Sequence, residues 1–178
     1  MSFKQEKVVR LATLTAGIAL FLLQALSLGG CRQDYFQTIP THIDNFKGIL
    51  VNGDTSSYQA QKGTATFIVL TASWCPGCRA ELPQLQKLDS EFAENGFRII
   101  LISEDDTPQE AANFNQRMNI PWTTFHWNYD MMNKLGNPGV IPVTYLVNAQ
   151  DSIVKVDAGG FDEKEMKFLI KNLLEIKN

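Results

Sequence analysis

The spacing of apolar residues along this chain changes several times, and each change marks a different element. Residues 11–30 are an unbroken uncharged run with no polar face. After a polar stretch, residues 66–71 (TFIVLT) are short, apolar and β-branched, which predicts a strand buried on both faces. From residue 76 to about 94 the spacing lengthens, with Leu82, Leu85, Leu88 and Phe92 three or four apart, and Asn95-Gly96 closes the helix so predicted. Residues 97–103 (FRIILIS) form a second strand. Thr107 as cap, Pro108 at the first helical position and Glu110 three past the cap then start a helix reaching about residue 118.

Residues 142–148 and 152–156 are β-rich runs joined by a turn at 149–151, which predicts an antiparallel hairpin. Asp162 caps a last helix, with Met166, Leu169, Ile170 and Leu173 on one face. The order strand, helix, strand, helix, two hairpin strands, helix predicts an α/β fold. Its central mixed parallel and antiparallel sheet would be flanked by helices on both faces.

The first apolar run belongs to no such fold. Lys4, Lys7 and Arg10 precede it against a single Glu6, the arrangement of an export signal. It ends in Leu28-Gly29-Gly30-Cys31, which resembles the lipobox of bacterial lipoproteins and implies that Cys31 is diacylated and becomes the mature N-terminus. An uncleaved signal anchor is the competing assignment, because twenty uncharged residues just span a bilayer. The basic residues would then stay cytoplasmic, and both assignments put the rest of the chain outside the cytoplasm. The expected organisation is a signal segment at 1–31, a tether with Pro40 at 32–46 and a folded domain at 47–178.

Composition agrees with that division: 178 residues, 44% hydrophobic and 20% charged, suit one domain with a short appendage. The net charge of -3 offers no basic face for a phosphate backbone, so nucleic acid is not an expected partner.

The chemistry sits where the first strand meets its helix. Cys75 and Cys78 are separated by two residues, close enough to bridge across a helix's first turn. A thiolate is the attacking species, and unpaired N–H groups at a helix N-terminus stabilise its charge, which assigns the nucleophile to Cys75. Cys78, one turn inside and expected to be less exposed, is the resolving thiol that releases a mixed disulfide. Pro76 suits the first helical position. Glu81 shares a helix face with Cys78 and could shuttle a proton, although a surface role is open to any helical glutamate. Pro83 is expected to kink the helix without ending it.

The segment Trp74-Cys75-Pro76-Gly77-Cys78-Arg79-Ala80-Glu81-Leu82-Pro83 resembles the active site of thioredoxin-like proteins. Its latter part is similar to the TlpA/ResA group, exported and membrane-held disulfide reductants. Val140-Ile141-Pro142-Val143-Thr144 is similar to that family's cis-proline loop, and Gly159-Gly160 matches a glycine after the hairpin. The resemblance runs from about residue 46 to 177. It implies a thioredoxin-like fold, a cis Ile141–Pro142 bond, and a tuning role for Glu81. It also implies a substrate-binding surface of Trp74, Pro76, Ile141 and Pro142, with Ile141 offering backbone hydrogen bonds to a client peptide. No cofactor beyond the dithiol/disulfide is implied. The implied partners are exported disulfide-containing proteins, apocytochrome c among them, and a membrane thiol electron donor, at the periplasmic side of the bacterial envelope.

Three positions depart from the family pattern. Val69 replaces the buried acid that thioredoxin carries six residues before its first cysteine, Thr71-Ala72-Ser73 replaces an aromatic-containing stretch, and Val143 stands where threonine is usual. Three other functions therefore stay open: a disulfide oxidant or isomerase, a thiol peroxidase, and a lipoprotein binding module with a permanent disulfide. The peroxidase lacks its proline and threonine, since Ile68 and Ala72 stand there. A structural zinc wants four ligands, and His42 and His126 are isolated, so no metal is expected. His126, near Trp122 and Trp127, reads as packing or a satisfied polar tip. Asp105-Asp106 reads as a solubility and capping pair, and Met131-Met132 as core filling near an irregular helix.

Overall fold

The computed structural model describes residues 39–175. The signal segment, Cys31 and the first part of the tether lie outside them. In chain order the elements are β1 (Lys47–Ile49), β2 (Thr55–Ser57), α1 (Tyr58–Gln61), β3 (Ala65–Thr71), α2 (Pro76–Phe92), β4 (Phe97–Ser103), α3 (Pro108–Met118), β5 (Thr123–His126), α4 (Tyr129–Lys134), β6 (Val143–Asn148), β7 (Ile153–Ala158) and α5 (Glu163–Leu173). The main sheet runs β5-β4-β3-β6-β7, and β1 with β2 forms a small separate sheet. β3, β4 and β5 are parallel, whereas β6 and β7 are antiparallel to their neighbours. The sheet is the mixed one expected.

β3 is buried at every position, so its alternate side chains feed two cores. Ala65, Phe67 and Val69 pack with Leu82, Leu85 and Leu88 of α2, Phe114 of α3, and Met166 and Ile170 of α5. Ile68 and Leu70 face the other way, toward Ile43, Phe46, Tyr58, Phe125 and Met131. Burying one such large side chain contributes about 1.5–3 kcal/mol. Three long helices cover the first face; short pieces from α1, α4 and the chain before β1 cover the second.

The element boundaries follow local chemistry. Thr107 accepts from the Glu110 N–H while Glu110 reaches back, so the expected capping box opens α3. α2 runs on through Pro83 to Phe92, and after a short 3-10 turn Gly96 takes φ 97, the left-handed value glycine adopts without a Cβ penalty. Asp162 caps α5 by accepting from Glu165 N.

One boundary needs correction. Residues 39–46, assigned above to the tether, pack into the fold: Ile43 and Phe46 are fully buried. Ile43 N–H donates to Asp151 O at 2.8 Å, and Ile153 N–H donates to Thr41 O at 2.9 Å. Ile39, Ile43 and Phe46 form a sparse apolar stripe among polar residues, too thin to mark an element yet enough to cover the second face. β1, β2, α1 and β5 also lie outside the elements read from sequence, none being longer than four residues, whereas α4 is the irregular helix expected around Met131-Met132.

Candidate functional site

Cys75 and Cys78 are joined as a disulfide, with Cα atoms 5.3 Å apart. Cys75 is the N-cap of α2, in extended conformation, and its sulfur accepts from the Cys78 N–H at 3.1 Å. Pro76 follows at the first helical position, where a missing N–H costs nothing. The helix start is therefore arranged around the sulfur of Cys75, as the sequence requires of a nucleophile. The expected contrast in exposure is small: Cys75 is 5% exposed and Cys78 3%, with Ala72 and Ile141 packed against the pair.

The Ile141–Pro142 bond is cis. This loop faces the cysteines, with Ile141 O 3.9 Å from Cys75 Sγ. A Cβ on Gly77 would lie 3.4 Å from Pro142 Cδ, so the start of α2 and the cis-proline loop are within van der Waals reach of one another. Trp74 is 60% exposed beside the disulfide, and Val140 is exposed on the facing loop. Trp74, Pro76, Ile141 and Pro142 are thus gathered at one end of the sheet with both cysteines.

Glu81 is not a surface residue. It is buried in α2, and among the described residues neither carboxyl oxygen has a hydrogen-bond partner. Burial, and secondarily the nearby Asp157 carboxylate, push its pKa from the usual carboxylate value up to about 7. A group titrating there can take or give a proton at neutral pH. Val69 is buried on the α2 face and paired with Thr144, so the acid near the cysteines comes from the helix and not from β3.

Asp105 departs from its expected role. It is 2% exposed, and its carboxylate accepts from Ser73 N at 3.0 Å, Ser73 Oγ at 2.6 Å and Ser103 Oγ at 2.7 Å. Arg79 Nη1 donates to Ser73 O at 3.1 Å, so the loop before Trp74 is held from both sides. The signal available in sequence was Ser103 two residues before Asp105, a spacing at which a side chain meets a neighbouring backbone group. His126 Nε2 donates to Asp105 O at 2.9 Å, the satisfied polar tip expected of it. Met131 and Met132 are buried in α4, as core filling requires. A cavity of about 360 Å³, lined by Glu104, Asp106, His126, Trp127 and Tyr129, had no counterpart in the sequence reading. Burial raises the Glu104 carboxyl there.

The Redoxin family model matches residues 37–170. Thiol-disulfide oxidoreductase ResA of Halalkalibacterium halodurans is 27% identical over 117 residues, which cover 64% of this chain and 65% of that protein. The thiol:disulfide interchange protein DsbE of Allochromatium vinosum is 35% identical over 103 residues, 56% of this chain and 54% of that protein. The chain thus spans just under two thirds of the first relative and about half of the second. Among solved structures, a thioredoxin-family thiol:disulfide interchange protein of Chlorobium tepidum superposes with a TM-score of 0.67 at 23% identity, covering 76% of this chain and 97% of that one. A thiol:disulfide interchange protein from Bacteroides sp. gives 0.65 at 19% identity, covering 78% and 93%. These likenesses establish the thioredoxin-like fold.

Proposed function

Because the chain belongs to the Redoxin family, we propose that it is an extracytoplasmic thiol-disulfide oxidoreductase that reduces disulfides in exported proteins through Cys75 and Cys78. The observation that carries this reading is the cysteine pair at the start of α2, with Cys75 as cap and the cis-proline loop opposite. The relatives named as ResA and DsbE support the same chemistry.

In the reduced protein the Cys78 N–H that meets the Cys75 sulfur, together with the N-terminal end of α2, stabilises its thiolate. A client peptide lies along Ile141 and against Trp74, and Cys75 attacks its disulfide, releasing one client thiolate and forming a mixed disulfide. The Cys78 thiol passes its proton to the Glu81 carboxylate and attacks the Cys75 sulfur. The second client thiolate leaves, and the Cys75–Cys78 disulfide remains. Two electrons have moved to the client, and a membrane thiol donor restores the dithiol. Lipid on Cys31 keeps the domain beside that donor at raised local concentration. Apocytochrome c is among the candidate clients.

Insulin reduction with a dithiol donor tests the activity. Wild-type protein should turn over, Cys75→Ser should lose turnover completely, and Cys78→Ser should stop at a mixed disulfide that identifies the client. A wild-type pair that stays oxidised under mild dithiol leaves only a binding module. Equilibration with glutathione tests direction: a potential near the roughly -120 mV of strong oxidants would overturn the reductant assignment. Metabolic labelling with a fatty acid, lost in Cys31→Ser, tests the anchor.

A further inference from the structure

Among the described residues, five buried polar side-chain atoms lack a partner within the protein, and four belong to Glu81, Thr144 and Asp157. Thr144 and Asp157 stand opposite each other in the β6–β7 register. Alternation along β6 puts Thr144 on the same face as Leu146, which packs with Leu82 and Leu85 of α2. Glu81 descends from that helix, and its Oε1 lies 3.6 Å from where a Cβ on Gly160 would be, just past the end of β7. Val69, Thr144 and Asp157 therefore form one cross-strand row beneath the cysteine helix, with the acid at its outer end.

Asp157 also reaches the surface. Its Oδ1 lies 3.7 Å from Lys155 Nζ, and that ammonium is 3.1 Å from Glu165 on α5. The Asp157 side chain is 23% exposed, whereas Glu81 is 5% exposed. The titratable and charged groups bearing on the pair are thus Cys78 from α2, Lys155 from β7, Glu165 from α5 and Asp162 from the loop before it.

The carboxyls of Glu81 and Asp157 both carry unpartnered buried oxygens on this side of the sheet, and the Asp157 charge adds to burial in raising Glu81. Burial raises both, but Lys155 works against the rise at Asp157. Asp157 therefore ionises first, and Glu81 titrates in the presence of its charge.

Resting on the reductase reading above, we propose that Asp157 is a positioning residue for the proton step: the outer member of a carboxyl pair, it sets the basicity of Glu81 and passes the Glu81 proton to solvent beside Lys155. When Cys78 attacks, its proton moves to the Glu81 carboxylate. The resulting acid returns that proton through the Asp157 carboxylate to water, leaving Glu81 ionised for the next cycle. Re-reduction of the disulfide runs the same transfer in reverse. Thr144, whose hydroxyl both donates and accepts, stands across from Asp157 on this route.

The test follows the Glu81 and Asp157 carboxyl carbons by NMR titration of the oxidised protein, in which neither active-site thiol titrates. Asp157→Asn should lower the Glu81 midpoint by roughly one unit, and the acid limb of single-turnover client release should move by the same amount. Glu165→Gln removes a charge of the same sign farther out and should leave the Glu81 midpoint in place. Glu81→Gln should leave the Asp157 midpoint in place, because Glu81 is neutral when Asp157 titrates. An unshifted Glu81 in Asp157→Asn, with normal client reduction, overturns the pair and leaves the reductase. A wild-type protein that reduces nothing while Glu81 still shifts overturns the reductase and the proton step built on it. A fall of the Asp157 midpoint in Glu81→Gln reverses the order and overturns its role as outer member.

Discussion

Asp105 and Glu81 are both buried acids next to the cysteine loop, one bonded to Ser73 just before it and the other three residues past Cys78. Asp105 is saturated, with a backbone N–H and two hydroxyls on its oxygens. Glu81 has none. A carboxylate given its full set of donors is a structural clamp, because every group it holds would be stranded without it. A carboxyl denied them is left with a pKa that moves to about 7 under burial and then the Asp157 charge. The two acids show how one residue type is either held as a clamp on the loop that presents the cysteines or left unpartnered beneath it with a raised pKa, according to the donors around it.

The sharpest way to break this contrast is Asp105→Ala. The substitution strands Ser73 N–H, the Ser73 hydroxyl and the Ser103 hydroxyl in a buried site, and leaves a small cavity. Urea denaturation should show a loss of roughly 4 kcal/mol. A loss below about 1 kcal/mol would mean that these groups find other partners, and the clamp would lose its meaning.

Neither role of the two acids was equally legible in sequence. Glu81 stands out in the sequence because three residues separate it from Cys78 on a helix whose apolar spacing is plain. Asp105 lies on a loop, where periodicity says nothing about burial, and its neighbour Asp106 made the pair look like surface charge. Asp157 was hidden in a strand, because only the β6–β7 register brings it toward the helix. The same division runs through the fold. Leu82, Leu85, Leu88 and Phe92 gave α2 away, whereas the second face is covered by Ile43, Phe46, Tyr58 and Met131 from pieces too short to carry a period. Long elements announce themselves by repetition, and short ones are fixed by contacts distant in sequence, such as the Tyr58 hydroxyl donating to Asp151 at 2.8 Å.

Glu81→Gln sharpens the contrast through its pH dependence. The folded-state pKa of Glu81 is raised to about 7, so the folded protein binds a proton that the unfolded chain has already lost above the ordinary carboxylate range. Wild-type stability should therefore fall as pH rises from about 4.5 to 7, where the buried group is forced to ionise. Glutamine carries no charge to bury. The variant should match wild type near pH 4 and exceed it by roughly 3 kcal/mol at pH 8, while resolution of the mixed disulfide slows. Equal stability of the two proteins at both pH values would return Glu81 to the status of an ordinary helical glutamate.

The smallest effect tests whether the two acids are independent. Ser103→Ala removes one hydroxyl donor from Asp105 Oδ2 and the acceptor of the Asp105 N–H, but Ser73 still holds the carboxylate. Its cost should be about 1 kcal/mol. Ser103 and Glu81 share no hydrogen-bond partner, so the stability changes of Ser103→Ala and Glu81→Gln should add within roughly 0.5 kcal/mol in the double variant. A larger coupling would mean that strain in the Ser73 clamp reaches the buried carboxyl through Cys75 and Cys78. The loop would then transmit between the two sides instead of separating them, and a variant on the Asp105 side would shift the proton chemistry of Glu81.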